Sequence, residues 1–102
     1  MKYLILDADY RSTGIKDLEG NFLSKSDLCI SDELWNEIQI WVNSYAPIVM
    51  MDEAERTLNL NTIQNLDKHG IELCKKLKSE ISEGAKIEYF SEGLLTKIFI
   101  KL

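Results

Sequence analysis

Asp7 and Asp9 stand two residues apart, directly after the apolar run Tyr3-Leu4-Ile5-Leu6. Two carboxylates at the end of a buried strand can divide phosphoryl-transfer work, one attacking phosphorus while the other moves the proton. That chemistry needs more parts: a Thr or Val two positions beyond the second Asp, a downstream Lys, and an acidic pair to hold Mg²⁺. Arg11 occupies the first of these positions, and 102 residues leave no room for the layers that would carry the rest. A calcium loop starting at Asp7 fails as well, because its fifth position is Arg11 and its twelfth is Leu18 in place of Glu. The structural role open to the pair is to end a strand and bond nearby backbone N–H groups.

The other reactive side chains are few. His69 is the only histidine, and no Ser or Cys nucleophile has a context that points to it. It falls on the outer arc of a helix, where a solvated or packed imidazole is the ordinary case. Cys29 and Cys74 have neither C-x-x-C spacing nor metal spacing, so they read as two reduced thiols. No catalytic residue, metal or cofactor is therefore expected. Asp67 lies towards the apolar arc near the start of a helix, where capping free N–H groups is its expected role.

Composition points to one ordinary globular domain over residues 1–102, because 45% hydrophobic and 28% charged residues suit a packed core and not a disordered chain. No apolar stretch is long enough to span a bilayer and no signal-peptide pattern is present, so a cytoplasmic protein is expected. The net charge of −5 is unevenly placed. Between Lys25 and Arg56 there are seven acids and no Lys or Arg: Asp27, Asp32, Glu33, Glu37, Asp52, Glu53 and Glu55. Such a surface repels phosphate backbones and argues against a nucleic-acid partner. It favours solubility, and it also attracts a basic protein surface.

Two helices must position these residues. Ser31 can cap the first, with Asp32 and Glu33 in its first turn, and Leu34, Trp35, Ile38, Trp41, Val42 and Tyr45 recur at helical spacing. Pro47 predicts its end at Ala46. Residues 47–60 read as a connection with a helical turn near Asp52 to Leu58. The second helix spans about Thr62 to Ser82, with Ile63, Leu66, Gly70, Leu73, Cys74, Leu77 and Ile81 inward. Gly70 would let another element approach closely, and Gly84 would end the helix. Residues 3–6 read as an internal strand buried on both faces, residues 9–26 as a loop with one short hairpin, and residues 86–101 as a hairpin turning at Ser91-Glu92-Gly93. The fold class is thus α+β, in the order β-loop-α-α-β-β. Two antiparallel helices pack on one face of a small mixed or antiparallel sheet.

On the first helix one residue breaks the polar arc. Ile40 sits among Glu33, Asn36, Glu37, Asn43 and Ser44. Single exposed isoleucines are common, but an apolar residue ringed by acids also has the form of a binding hot spot. The expected partner surface is therefore Glu33, Asn36, Glu37 and Ile40, flanked by Asp52, Glu53 and Glu55. The loop holding Asp7, Asp9, Asp17 and Glu19 is the next choice.

Two resemblances bear on function. The Asp7–Asp9 spacing is similar to the nucleophile motif of haloacid-dehalogenase phosphatases and departs from it at Arg11, which leaves a small hydrolase as a minor reading. Ser31-Asp32-Glu33-Leu34 through Trp41 and Tyr45, Leu66-Asp67, Gly70-Ile71 and Lys86-Ile87-Glu88-Tyr89-Phe90-Ser91 together cover most of the chain. In spacing and general character this stretch resembles the immunity proteins of bacterial polymorphic toxin systems, including contact-dependent growth inhibition. The resemblance implies a non-enzymatic cytoplasmic protein that binds a cognate toxin domain, commonly a basic nuclease, and blocks its active site. It supplies no shared binding motif. The alternative is a small regulatory or adaptor domain that binds another bacterial protein.

Overall fold

The apolar run after Met1 forms β1 (Lys2–Asp7) in the computed structural model, which describes residues 1–102. With β2 (Ile15–Lys16), β3 (Ala85–Ser91) and β4 (Thr96–Ile98) it makes a mixed sheet in the order β2-β1-β3-β4. β1 runs parallel to β3, with Leu4 opposite Ile87 and Leu6 opposite Tyr89, and the other two pairings are antiparallel. Leu4, Leu6, Ile87 and Tyr89 share one face and are buried. Tyr3, Ile5, Lys86 and Glu88 alternate onto the other face, where Tyr3 and Lys86 are exposed and Ile5 and Glu88 half-buried. β1 is internal as expected, but only one of its faces is fully covered. Helices pack on a single side of the sheet, so the apolar run hides an alternation that burial reveals.

Four helices follow β2: α1 (Lys25–Leu28), α2 (Asp32–Val49), α3 (Glu53–Leu58) and α4 (Leu60–Glu80). Ser31 caps α2, its Oγ accepting from the Leu34 N–H at 3.1 Å. The inward stripe of α2 is Leu34, Ile38, Trp41, Val42, Tyr45 and Ile48, and that of α4 includes Ile63, Leu73, Cys74 and Leu77. Trp35 and Leu66 pack at the edge of the same core. The two long helices are antiparallel and latched along their length. The Ser31 N–H and Oγ donate to Glu80 at 2.7 and 2.8 Å, Lys76 Nζ to Glu37 at 2.9 Å, and Trp41 Nε1 to the Leu66 carbonyl at 2.9 Å.

α2 does not stop before Pro47 but runs on to Val49. Pro47 removes one N–H near the end of the helix, while Ile48 extends the buried stripe by one more turn. Arg56 caps the carbonyls at the helix end, its Nε and Nη2 donating to Ile48 O and Val49 O at 3.4 and 3.2 Å. The turn near Asp52 is α3, capped by a reciprocal pair in which Asp52 accepts from the Glu55 N–H and Glu55 from the Asp52 N–H. The Asp9–Ser26 segment contains the expected short hairpin, with Lys16 bridged to Phe22. At its end begins α1, a single turn that runs on to Leu28 and is started by Ser24 and Asp27.

Gly70 lies directly under the sheet: a Cβ there would stand 2.3 Å from Tyr89 Cε1. Gly84 adopts φ +86° in the turn after α4 and is not the helix cap, which is Ile81 in an extended conformation.

Candidate partner-binding surface

Asp67 is not a cap. It is buried between the helices and the sheet, where it accepts three hydroxyl hydrogen bonds: Tyr45 at 2.8 Å, Tyr89 at 2.6 Å and Ser91 at 2.8 Å. Burial first, with the Asp67 carboxylate adding to it, pushes both phenols above their ordinary value, so they remain protonated donors. The network continues into the β3–β4 turn. Tyr45 Oη accepts from the Gly93 N–H at 2.9 Å, and Ser91 Oγ from the Leu94 N–H at 3.1 Å. Ser91, expected in the turn, instead ends β3, while Glu92 begins the turn as expected, and both are buried. Their side chains point into polar company. Cys74 is buried, and desolvation pushes its thiol up to about 12, which makes it unreactive.

Asp7 and Asp9 make different contacts. Asp7 is 2% exposed and pairs with Lys16 Nζ at 2.7 Å. Asp9 is half-buried and accepts from the Tyr10 N–H at 2.8 Å. Lys16 also sits over the rings of Phe22 and Phe90 at 5.7 and 5.9 Å. The neighbour that Asp7 does meet is Glu92, 9% exposed. Burial first, then the Asp7 carboxylate and the field of Asp9, push Glu92 up to about 7, against the pull of Lys16. A neutral Glu92 can donate to Asp7, whose Oδ1 is buried with no other partner. Sequence distance hid this pair, because only the parallel register of β1 and β3 brings residues 7 and 92 together. No group of three or more His, Cys, Asp or Glu is arranged to hold a metal ion.

The seven acids between Lys25 and Arg56 have different duties. Asp32 pairs with Lys25, and Glu37 with Lys76 at 2.9 Å and His69 at 3.4 Å. Lys76 holds the Glu37 carboxyl below its usual range. Asp27, Asp52 and Glu55 cap helices. Glu33 and Glu53 are exposed and form no ion pair. Ile40 is 64% exposed, and Asn36 beside it is exposed too. Glu33, Ile40 and Pro47 follow one another at seven-residue steps along the outer face of α2. The Glu33–Ile40 group and the Asp52–Glu55 group lie towards opposite ends of this helix, which is about 27 Å long. They form two ends of one ridge and not one compact patch.

Sequence reasoning passed over a second set of exposed apolar residues. Leu58, Leu60, Leu94 and Leu95 all lie outside the core near α3 and the β3–β4 turn. The hairpin reading over residues 86–101 starts a strand at Leu95, where alternation makes such a residue unremarkable. A pair of leucines directly after a Gly turn was the available signal.

No helix is long and apolar enough to cross a membrane. A search of curated proteins finds no match to the chain. Residues 2–92, from β1 through the end of β3, match the family described as Serratia CdiI immunity protein-like, and the chain belongs to that family.

Proposed function

We propose that this chain neutralises a cognate toxin domain by binding it tightly in the cytoplasm and covering its active site, the toxin being a nuclease with a basic surface. The observation that carries the reading is the family match over residues 2–92. The contact surface runs along the outer face of α2 through Glu33, Asn36, Glu37 and Ile40 and reaches Asp52, Glu53 and Glu55 at α3. Three features support that choice. Ile40 offers an exposed apolar anchor, and Glu33 and Glu53 carry charge that no residue of the chain neutralises. The face is also presented by a long capped helix, which limits the entropy lost on binding. An interface of standard size covers about 800 Å² on each partner, or ~30 Å across, enough to span both ends of the ridge. The same charge that attracts a nuclease repels the nuclease's substrate, so the partner is the protein and not nucleic acid.

The test is growth rescue. A candidate toxin domain, the variable C-terminus of a large secreted protein to be sought in the gene upstream, is induced with the parent or with a Glu33→Gln, Ile40→Ser variant. The parent restores growth. The folded variant binds at least 2 kcal/mol more weakly, about 30-fold, and rescues poorly at low expression. Full rescue and unchanged affinity in the variant would move the site off the face of α2, and failure of the parent to rescue would refute the toxin reading itself.

A further inference from the structure

The exposed leucines missed in the sequence form the wall of a defined groove. It lies between α3 and the β3–β4 turn, holds about 330 Å³, and is lined by Arg56, Thr57, Leu60, Gly93, Leu94 and Leu95, with Glu53 at its rim. An adjoining depression shares Glu53 and Thr57 and is walled by Leu58, which is 87% exposed. Exposed apolar surface of this kind, rimmed by polar groups, marks protein interaction sites.

The turn that presents Leu94 and Leu95 is fixed from beneath. The Gly93 N–H is bonded to Tyr45, the Leu94 N–H to Ser91, and Ser91 to Asp67. Gly93 cannot be replaced there, since a Cβ would stand 2.5 Å from Ile63 Cγ2. Leu95 adopts φ +53°, a region where turns ordinarily place Gly or Asn, yet its side chain is 60% exposed and gains little from the core. A backbone held in this disfavoured conformation presents an apolar side chain to solvent. The buried polar network thus serves as the platform that holds an apolar edge rigid before any partner arrives.

We infer that this groove takes an apolar side chain of the toxin domain flanked by basic residues, a proposal that rests on the toxin-binding reading above. Charge selects the occupant. Asp52, Glu53 and Glu55 stand on the α3 side of the groove, while Arg56, the cation within it, is turned to the carbonyls of Ile48 and Val49. A basic partner meets complementary charge here. A second copy of the chain related by a two-fold axis would set the same acids against each other.

The experiment uses the full chain and the candidate toxin domain that the rescue test above identifies. Leu94→Ser with Leu95→Asn removes the apolar edge, and Asn suits the left-handed backbone, so the urea midpoint stays near that of the parent. Affinity for the toxin domain should fall by about 30-fold or more. A folded variant that binds within about threefold of the parent overturns the groove while the toxin reading stands. A parent that does not bind the toxin domain overturns both. Self-association of the parent that the variant abolishes, with toxin binding unchanged, also overturns the proposal, because the occupant is then a second copy. If the double variant loses its fold, Leu95→Asn alone carries the test: a loss of about tenfold supports the groove, and unchanged affinity overturns it.

Discussion

Replacing Asp67 by Ala removes the acceptor of three hydroxyl groups at once, those of Tyr45, Tyr89 and Ser91. Tyr89 and Ser91 are completely buried, as is Tyr45, so none can turn to water. A hydrogen bond to a charged group contributes about 1.5–3 kcal/mol, and each buried donor left without a partner costs about 1–3 kcal/mol. The three bonds share one carboxylate and are not additive, and Tyr45 keeps Ser91 as a neighbour at 3.3 Å. The net loss expected is therefore about 3–5 kcal/mol. Asp67→Asn is the informative comparison. Its oxygen can keep both tyrosines, while its amide can donate to Ser91 Oγ in place of accepting from it, so a loss of about 1–2 kcal/mol is expected. Urea unfolding followed by fluorescence of Trp41, which stacks edge-on against Tyr45, reads both variants. With a slope of about 1–3 kcal/mol per molar urea, the Ala variant should lower the midpoint by roughly 2 M. A shift for Ala no larger than that for Asn would refute the claim that this network holds the helices to the hairpin.

Three further outcomes follow from the same geometry. Gly70→Ala forces a methyl group into the Tyr89 ring and should destabilise by about 1–3 kcal/mol, even though Ala favours helix, as a lowered thermal or urea midpoint would show. Glu92 ionises near its ordinary 4.5 in the unfolded chain and at about 7 in the folded one, so the folded state holds the extra proton between those values. Its share of stability is therefore complete below about pH 4.5 and is lost as pH rises through about 7. Glu92→Gln keeps a donor towards Asp7 and should exceed the parent by about 1 kcal/mol at pH 8, with the advantage vanishing by pH 5, as parallel urea titrations would reveal. Association with the toxin domain should slow by about tenfold or more between low and high salt, measured by stopped flow, because the unpaired acids of α2 and α3 steer a basic surface.

Periodicity made the two long helices legible, since Leu34 to Tyr45 and Ile63 to Ile81 fall on single stripes that the sheet then covers. Gly70 was readable for the same reason: a gap in a stripe signals close approach. What escaped was set by contacts distant in sequence. Pro47 could not announce that the helix would run past it to carbonyls that Arg56, seven and eight residues on, would cap. Asp67 reads as a cap until Tyr89 and Ser91 are seen to converge on it from β3, 22 and 24 residues away. The acids of α2 were visible as a surface, but their partial neutralisation by Lys76 on α4 was not.

The central claim is that the chain binds its toxin domain one to one and covers its active site. Isothermal titration of the purified chain into the toxin domain from which it rescues growth, at physiological salt, tests this most directly. The account predicts a single transition at equimolar ratio with Kd of about 10 nM or tighter. Binding weaker than about 10 µM, or no heat change at either of two temperatures about 15 °C apart with both proteins folded, would contradict it.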